Sequence, residues 1–240
     1  MENCQCIIIL HGWCSSKEKW AKVKENLEKE GVKVIVPDLP GFKEETKLSQ
    51  PWSLDNYVEW LENLIEDKIK AGNLSEPFFI LGHSFGGRIS LLFASKHPEK
   101  LRGLILVDSA GILSDDLKKR AIARYAPSLK KLSFLPGYRF FRKVFYKFII
   151  RKTDYLYVDG ALKETFKMTI ERDLTPILSR IKTETLVIWG EKDKTTPLSH
   201  GKLMNEKIEG SKIEILRGVA HNPYLDCPEI LAGKILDFIK

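Results

Sequence analysis

Residues 78–98 read Phe78-Phe79-Ile80-Leu81-Gly82-His83-Ser84-Phe85-Gly86-Gly87-Arg88-Ile89-Ser90-Leu91-Leu92-Phe93-Ala94-Ser95-Lys96-His97-Pro98. The first four are apolar without alternation, the pattern of a strand buried on both faces of a parallel sheet. From Phe85 the apolar positions recur at helical spacing as far as the proline. Gly82-His83-Ser84-Phe85-Gly86 joins the two as G-x-S-x-G, in the strand–turn–helix context of a nucleophile elbow. A serine forced into so sharp a turn needs small neighbours, because a Cβ at Gly82 or Gly86 would collide with adjoining backbone. The helix that begins there aims free N–H groups at developing negative charge. Ser84 is therefore the candidate nucleophile.

The same strand signature recurs at Ile7–Leu10, Val32–Val36, Leu101–Val107, Thr185–Trp189 and Lys212–Leu216. Helical patterns lie between, at Lys17–Glu30, Ser53–Lys70, Leu198–Ile208 and Glu229–Ile239. Ser53 with Asn56 three residues on reads as a cap, and Pro197 opens the helix near Leu198. Strand–helix alternation implies right-handed βαβ crossovers and an α/β fold, a doubly wound, mostly parallel sheet of about six strands flanked by helices. The alternation is interrupted once, after Val107. Residues 112–175 hold helical patterns and two of the chain's prolines, Pro127 and Pro136, but no clear strand. They predict an inserted helical lid, with 1–111 and 176–240 forming the core domain.

The chain has 240 residues, 43% of them hydrophobic and 30% charged, which excludes a disordered chain. That length builds a core without disulfide or metal staples. No apolar run approaches the roughly 18 residues of a membrane helix. The first residues lack the basic region and cleavage pattern of a signal peptide, so the expected compartment is the cytoplasm. Cys4, Cys6, Cys14 and Cys227 fit neither a C-x-x-C motif nor zinc spacing and read as reduced thiols. The net charge of +7 is not spread evenly. Residues 112–175 carry 15 Lys+Arg against 7 Asp+Glu, a net of +8, and the remainder carries 24 against 25.

A serine hydroxyl is a poor nucleophile without a base. The chain has His11, His83, His97, His200 and His221. The elbow's chain order is serine, acid, histidine, so the base follows Ser84. His97 lies late in the elbow's own helix, and His200 lies near a helix start. His221 sits just past the strand Lys212–Leu216, where α/β sites form, and is preferred. Asp193, in the loop after Thr185–Trp189, is the preferred acid, since a buried carboxylate there fixes the histidine's tautomer. Asp108, directly after Val107, is the competitor, and Glu191 a weaker third. Phe85 N–H is one candidate oxyanion donor. The second comes from His11-Gly12-Trp13 after the first strand, with Trp13 offering its main-chain N–H.

Taken together, these motifs resemble the α/β-hydrolase superfamily. The resemblance runs over Leu10-His11-Gly12-Trp13, Pro37-Asp38-Leu39-Pro40-Gly41-Phe42, the elbow through Gly87, Trp189-Gly190-Glu191-Lys192-Asp193 and Ala220-His221-Asn222-Pro223. It implies a triad of Ser84, Asp193 and His221, an oxyanion hole at Trp13 and Phe85, and a helical lid, in the manner of small lidded esterases, lipases and carbon–carbon hydrolases. Two departures stand out. Only ten residues precede His11, so the family's leading hairpin is expected to be missing. Lys43 and Glu44 follow Phe42 where the family carries D-x-x-G-x-G-x-S.

Within the predicted lid, Tyr138–Ile150 is amphipathic, with Phe140, Phe141 and Phe145 on the apolar stripe and Arg139, Arg142, Lys143 and Lys147 opposite. The three phenylalanines are candidate substrate-binding residues. The basic face reads first as solvated surface. Beyond that it suits an acidic carrier or anionic substrate, or an anionic membrane surface. No nucleic-acid recognition motif is present, and none is expected to bind. The sequence predicts a serine hydrolase, free of metal and cofactor, cleaving a carboxylic ester with an apolar acyl group. The alternatives are a carbon–carbon hydrolase, thioesterase or lyase on the same scaffold, and a non-catalytic binding protein.

Overall fold

The computed structural model describes residues 5–113 and 160–240. Six strands form one sheet: β1 (Cys6–Leu10), β2 (Lys33–Ile35), β3 (Phe78–His83), β4 (Leu101–Val107), β5 (Thr185–Gly190) and β6 (Lys212–Leu216). Their order is β2-β1-β3-β4-β5-β6, and every neighbouring pair is parallel. The four central strands are continuous apolar runs because helices cover both faces of the sheet. Alternate side chains feed two cores. Ile8, Leu10, Ile80, Leu104, Leu106 and Trp189 meet α2 (Leu54–Lys70), α3 (Phe85–Lys96) and α5 (Leu198–Lys207) on one face. Ile7, Ile9, Phe79, Leu81, Ile105 and Ile188 meet α1 (Ala21–Lys29) and α7 (Pro228–Ile239) on the other. Each fully buried aliphatic side chain in these layers contributes roughly 1.5–3 kcal/mol.

The register carries the functional consequence. Leu10 pairs with Gly82, His83 with Val107, Val107 with Ile188, and Gly190 with Leu216. The C-terminal ends of five strands are therefore level, and the loops beginning at His11, Ser84, Asp108, Glu191 and Arg217 leave one edge together. Chain order reverses at β1, which has β2 on one side and β3 on the other. That switch point is where a crevice opens at the edge of a doubly wound sheet.

Local structure follows the residues closely. Ser53 Oγ accepts the Asn56 N–H at 3.3 Å while the Ser53 N–H donates to Asn56 Oδ1 at 2.9 Å, a reciprocal cap for α2. The pattern Lys17–Glu30 is not one helix: a 3-10 turn over Lys17–Trp20 precedes α1. The cause is Trp20 at the joint, fully buried and stacked on Tyr224 at 4.6 Å between ring centroids. Tyr224 itself lies in a short helix, α6 (Pro223–Asp226), just before α7.

Of the segment 112–175, residues 112–113 and 160–175 are described. Phe140, Phe141 and Phe145, with the whole stretch 138–150, lie outside the described residues. The visible part is α4 (Gly160–Glu171), which packs over the loops at the sheet edge. Its Thr165 Oγ1 accepts the Trp52 N–H at 2.8 Å, and its Phe166 ring lies 4.9 Å from that of Trp13. Arg88 on α3, 4% exposed, donates to the main-chain carbonyls of Thr169 at 2.6 Å and of Arg172. A cation there satisfies the orphan carbonyls at the C-terminal end of α4 and opposes its dipole. Among the described residues, no helix is long and apolar enough to cross a membrane.

Candidate active site

Ser84 stands at the turn from β3 into α3 with φ 50° and ψ −111°. An L-residue holds such a conformation only where its surroundings force it, at a cost of about 1–3 kcal/mol. What forces it is backbone packed on backbone. A Cβ on Gly82 would lie 2.6 Å from the Gly86 carbonyl oxygen, and one on Gly86 would overlap the Leu10 carbonyl. The Ser84 N–H continues the sheet to Val107 O at 3.2 Å, and the Gly86 N–H donates to His11 O at 3.1 Å. The loop after β1 is thereby seated against the elbow. Phe85, the first helical residue, has a main-chain N–H with no intrahelical acceptor.

From Ser84 a chain of hydrogen-bonding distances runs through two loops. His221 Nε2 lies 3.0 Å from Ser84 Oγ, and His221 Nδ1 lies 2.7 Å from Asp193 Oδ2. The Asp193 side chain has no solvent exposure, against 17% for His221. Asp193 Oδ1 accepts the N–H groups of Thr195 at 2.7 Å and Thr196 at 3.0 Å, and Oδ2 accepts the Thr196 hydroxyl at 2.6 Å. Burial works against this charge, yet the bonds from His221 and Thr196 outweigh it and bring the carboxyl down to about 2. An ionised Asp193 keeps the His221 proton on Nδ1 and leaves Nε2 as an acceptor facing the serine hydroxyl.

Asp108 takes a different position. It is fully buried, and its Oδ1 accepts the Gly190 N–H at 2.8 Å. Its Oδ2 is buried without a partner. Burial, and after it the Asp193 carboxylate, push its pKa up to about 8 against the pull of the Gly190 N–H. Two carboxyls this close do not both ionise, and Asp108 keeps the proton. Glu191 points elsewhere, accepting the Gly218 N–H at 2.9 Å. Among the described residues Asp108, Asp193 and His221 form a set with potential ligand atoms within 4.8 Å of one another. The 2.7 Å between His221 and Asp193 is the spacing of a shared proton; two ligands of one cation at about 2.0–2.2 Å each stand further apart.

The other histidines have structural partners. His11 donates from Nδ1 to the Gly12 carbonyl at 2.8 Å and accepts the Leu39 N–H on Nε2 at 3.0 Å, which ties the loop after β1 to the loop after β2. His97 pairs with Glu62 at 2.6 Å, and His200 lies on α5. Trp13 packs edge-on against Phe42 at 4.8 Å and Phe85 at 5.0 Å, so an aromatic wall borders the serine. Sequence reasoning missed Thr196, Arg88 and Phe166. A threonine three residues after an aspartate in a loop is a detectable turn signal for Thr196. The other two act across chain separations that no local pattern reports.

Comparison with known proteins agrees with this architecture. Residues 5–132 match the family model described as alpha/beta hydrolase fold. Lipase 1 of Psychrobacter immobilis is 27% identical over 234 residues, covering 92% of this chain and 72% of the relative. A pimeloyl-[acyl-carrier protein] methyl ester esterase of Neisseria meningitidis is 26% identical over 253 residues, covering 98% of this chain and 76% of the relative. The crystal structure of a putative lipase from Acinetobacter baumannii superposes with a TM-score of 0.72 at 24% identity, covering 100% of this chain and 84% of its own, a likeness of fold.

Proposed function

The chain belongs to the alpha/beta hydrolase fold family, and from that premise we propose that it is a serine hydrolase of carboxylic esters with Ser84 as nucleophile, His221 as base and Asp193 as orienting acid. The observation that carries this is the series Ser84–His221–Asp193 at 3.0 and 2.7 Å. In the reaction, Ser84 Oγ attacks the ester carbonyl while His221 Nε2 takes its proton. The resulting oxyanion is met by the main-chain N–H groups of Phe85 and Trp13, each such donor contributing about 2.7–4 kcal/mol to the transition state. The imidazolium, stabilised by ionised Asp193, protonates the departing alcohol. Water activated by His221 then cleaves the acyl-enzyme.

The aromatic wall of Trp13, Phe42, Phe85 and Phe166 favours an apolar acyl group. Residues 112–175 act as a cap on a core of 1–111 and 176–240. In support, the ends of the segment lie side by side, with the Leu174 N–H donating to Gly111 O at 2.9 Å and the Leu113 N–H to Asp173 Oδ1 at 3.4 Å. The net +8 of the cap favours an anionic partner. An acidic carrier protein is the one consistent with the name of the Neisseria relative, an acyl-carrier-protein ester esterase, and an anionic lipid surface is the alternative. The test is hydrolysis of short p-nitrophenyl esters with fluorophosphonate labelling. Wild type turns over and is labelled at Ser84, and Ser84→Ala does neither while its thermal melt stays cooperative. Full turnover by that variant would sink the assignment, and activity on thioesters or diketones in place of esters would move it to the rival chemistries.

A further inference from the structure

One buried titratable side chain touches the candidate site without a task in the chemistry. His83 is the last residue of β3, immediately before Ser84, and is 2% exposed. Its Nε2 lies 2.8 Å from the main-chain carbonyl oxygen of His221. A carbonyl only accepts, so His83 Nε2 carries the proton and Nδ1 holds the lone pair. Nδ1 is buried without a hydrogen-bond partner and faces Gly12, where a Cβ would come within 2.9 Å of it. The ring is enclosed by Trp20 at 5.9 Å, Tyr224 at 4.9 Å and the His221 ring at 5.0 Å between centroids.

We propose that His83 is a positioning residue whose Nε2–H clamps the His221 main chain and so sets the separation of His221 Nε2 from Ser84 Oγ. The inference rests on the reading of Ser84 and His221 as nucleophile and base. Asp193 orients the imidazole from its Nδ1 side but does not touch the His221 backbone. The loop before it is tied at Val219, whose carbonyl accepts the Lys192 N–H at 2.8 Å. The bond from His83 joins the His221 main chain directly to the strand that leads into the nucleophile. One side chain thus spans the two reacting partners.

The charge state of His83 matters as much as its reach. Burial, and then the neighbouring His221 ring, hold its pKa at about 3. It stays neutral while His221 cycles through the imidazolium. A permanent cation at the same place would oppose that imidazolium across a dry contact. The position therefore calls for a neutral donor of defined length. Glutamine supplies one, since its Nε2 is as many bonds from Cα as the histidine Nε2. Asparagine stops at the length of Nδ1, and phenylalanine fills the space but leaves a buried carbonyl without a donor.

The experiment compares wild type, Ser84→Ala, His83→Gln, His83→Asn and His83→Phe. It reads kcat and KM on p-nitrophenyl butyrate between pH 5 and 9, thermal melts, and the downfield proton resonance of the His221–Asp193 bond, which needs no turnover. His83→Phe and His83→Asn are expected to lose roughly 10- to 100-fold in kcat, with KM within about threefold of wild type. They should also displace the downfield resonance. His83→Gln is expected to stay within about fivefold in kcat and to keep it. If His83→Phe does not fold, the Gln–Asn comparison carries the test. A folded His83→Asn with wild-type kcat and resonance overturns the proposal, as does a folded His83→Gln impaired as much as His83→Asn. Full activity in Ser84→Ala would instead refute the hydrolase reading and leave the resonance to judge the clamp.

Discussion

Exchanging Asp193 for asparagine separates the two buried carboxyls by their hydrogen bonds alone. Asp193 Oδ1 holds two main-chain donors, Thr195 and Thr196, at 2.7 and 3.0 Å. Its Oδ2 holds the Thr196 hydroxyl at 2.6 Å and His221 Nδ1 at 2.7 Å. Asparagine keeps one acceptor oxygen. The main-chain N–H groups cannot turn away, so that oxygen stays at the Oδ1 place and the amide NH₂ replaces Oδ2. His221 Nδ1 must then accept, its proton shifts to Nε2, and Nε2 presents N–H to a serine whose proton it was to take. An acid-to-amide change of this kind costs about 10⁴ in kcat, or about 5.5 kcal/mol. Asp108→Asn is the control. Asp108 is already neutral, with Oδ1 on the Gly190 N–H at 2.8 Å, and asparagine provides the same oxygen and a neutral donor. Its kcat should remain within about threefold, because neither the acceptor nor the charge beside Asp193 changes. Turnover of p-nitrophenyl butyrate at pH 6.5, below the Asp108 pKa of about 8, reads both when normalised by thermal melts. Retention of more than a tenth of wild-type kcat by Asp193→Asn, or an equal loss in both variants, refutes the reasoning.

Ser84→Gly should raise stability by about 1 kcal/mol in urea melts, since glycine enters positive φ freely and pays only its own backbone entropy; a loss would mean that Ser84 is not strained. Asp108 should make stability fall as pH rises from about 4 to about 8. The folded chain keeps its proton to about 8 whereas the unfolded chain releases it near 3.8, so the native state binds more protons across that window. Asp108→Asn should flatten the variant's own curve, so that the wild-type-minus-variant difference falls across this window, and a constant difference would place the proton elsewhere. If the basic segment steers substrate, kcat/KM for anionic esters should drop with added salt more steeply than for neutral ones. Equal slopes would reduce the charge to solubility.

The sheet was legible because its strands are apolar runs and its loops carry local signatures. G-x-S-x-G at 82–86 and His-Gly at 11–12 are short motifs whose steric demands lie within a few residues, and the sheet edge assembles them. The helix break at Trp20 was not legible, since Lys17–Glu30 keeps its periodicity and only the stacking of Trp20 on Tyr224, two hundred residues away in the chain, explains the joint. Asp193 and Asp108 look alike in sequence, as each follows a strand. They differ in their donors, with the turn through Thr195 and Thr196 supplying three to one and a single main-chain N–H serving the other. His83 could be set aside as a base from chain order, but its donor role appears only when the β6 loop folds back over β3.

On the proposed function, chemistry and substrate selection occupy different parts of this molecule, joined through Trp13 and Arg88. The candidate serine, histidine and aspartate, with His83 behind them, belong to strand ends whose positions are fixed by the register of a buried sheet. The aromatic wall is shared: Phe42 and Phe85 come from the core, and Phe166 comes from α4. Trp13 touches all three rings while its main chain sits in the loop seated on the elbow. A change in how α4 rests on the core therefore reaches the proposed oxyanion side of the site through Trp13, whereas the members of the Ser84–His221–Asp193 series bond to one another and to the loops of the sheet edge. Arg88 limits that movement, because the core side chain that holds the end of α4 lies on the helix that begins at the nucleophile. On the proposed function, the segment 112–175 can thus diversify acyl preference without disturbing proton transfer, provided that the Trp13 contact and the Arg88 bonds are kept.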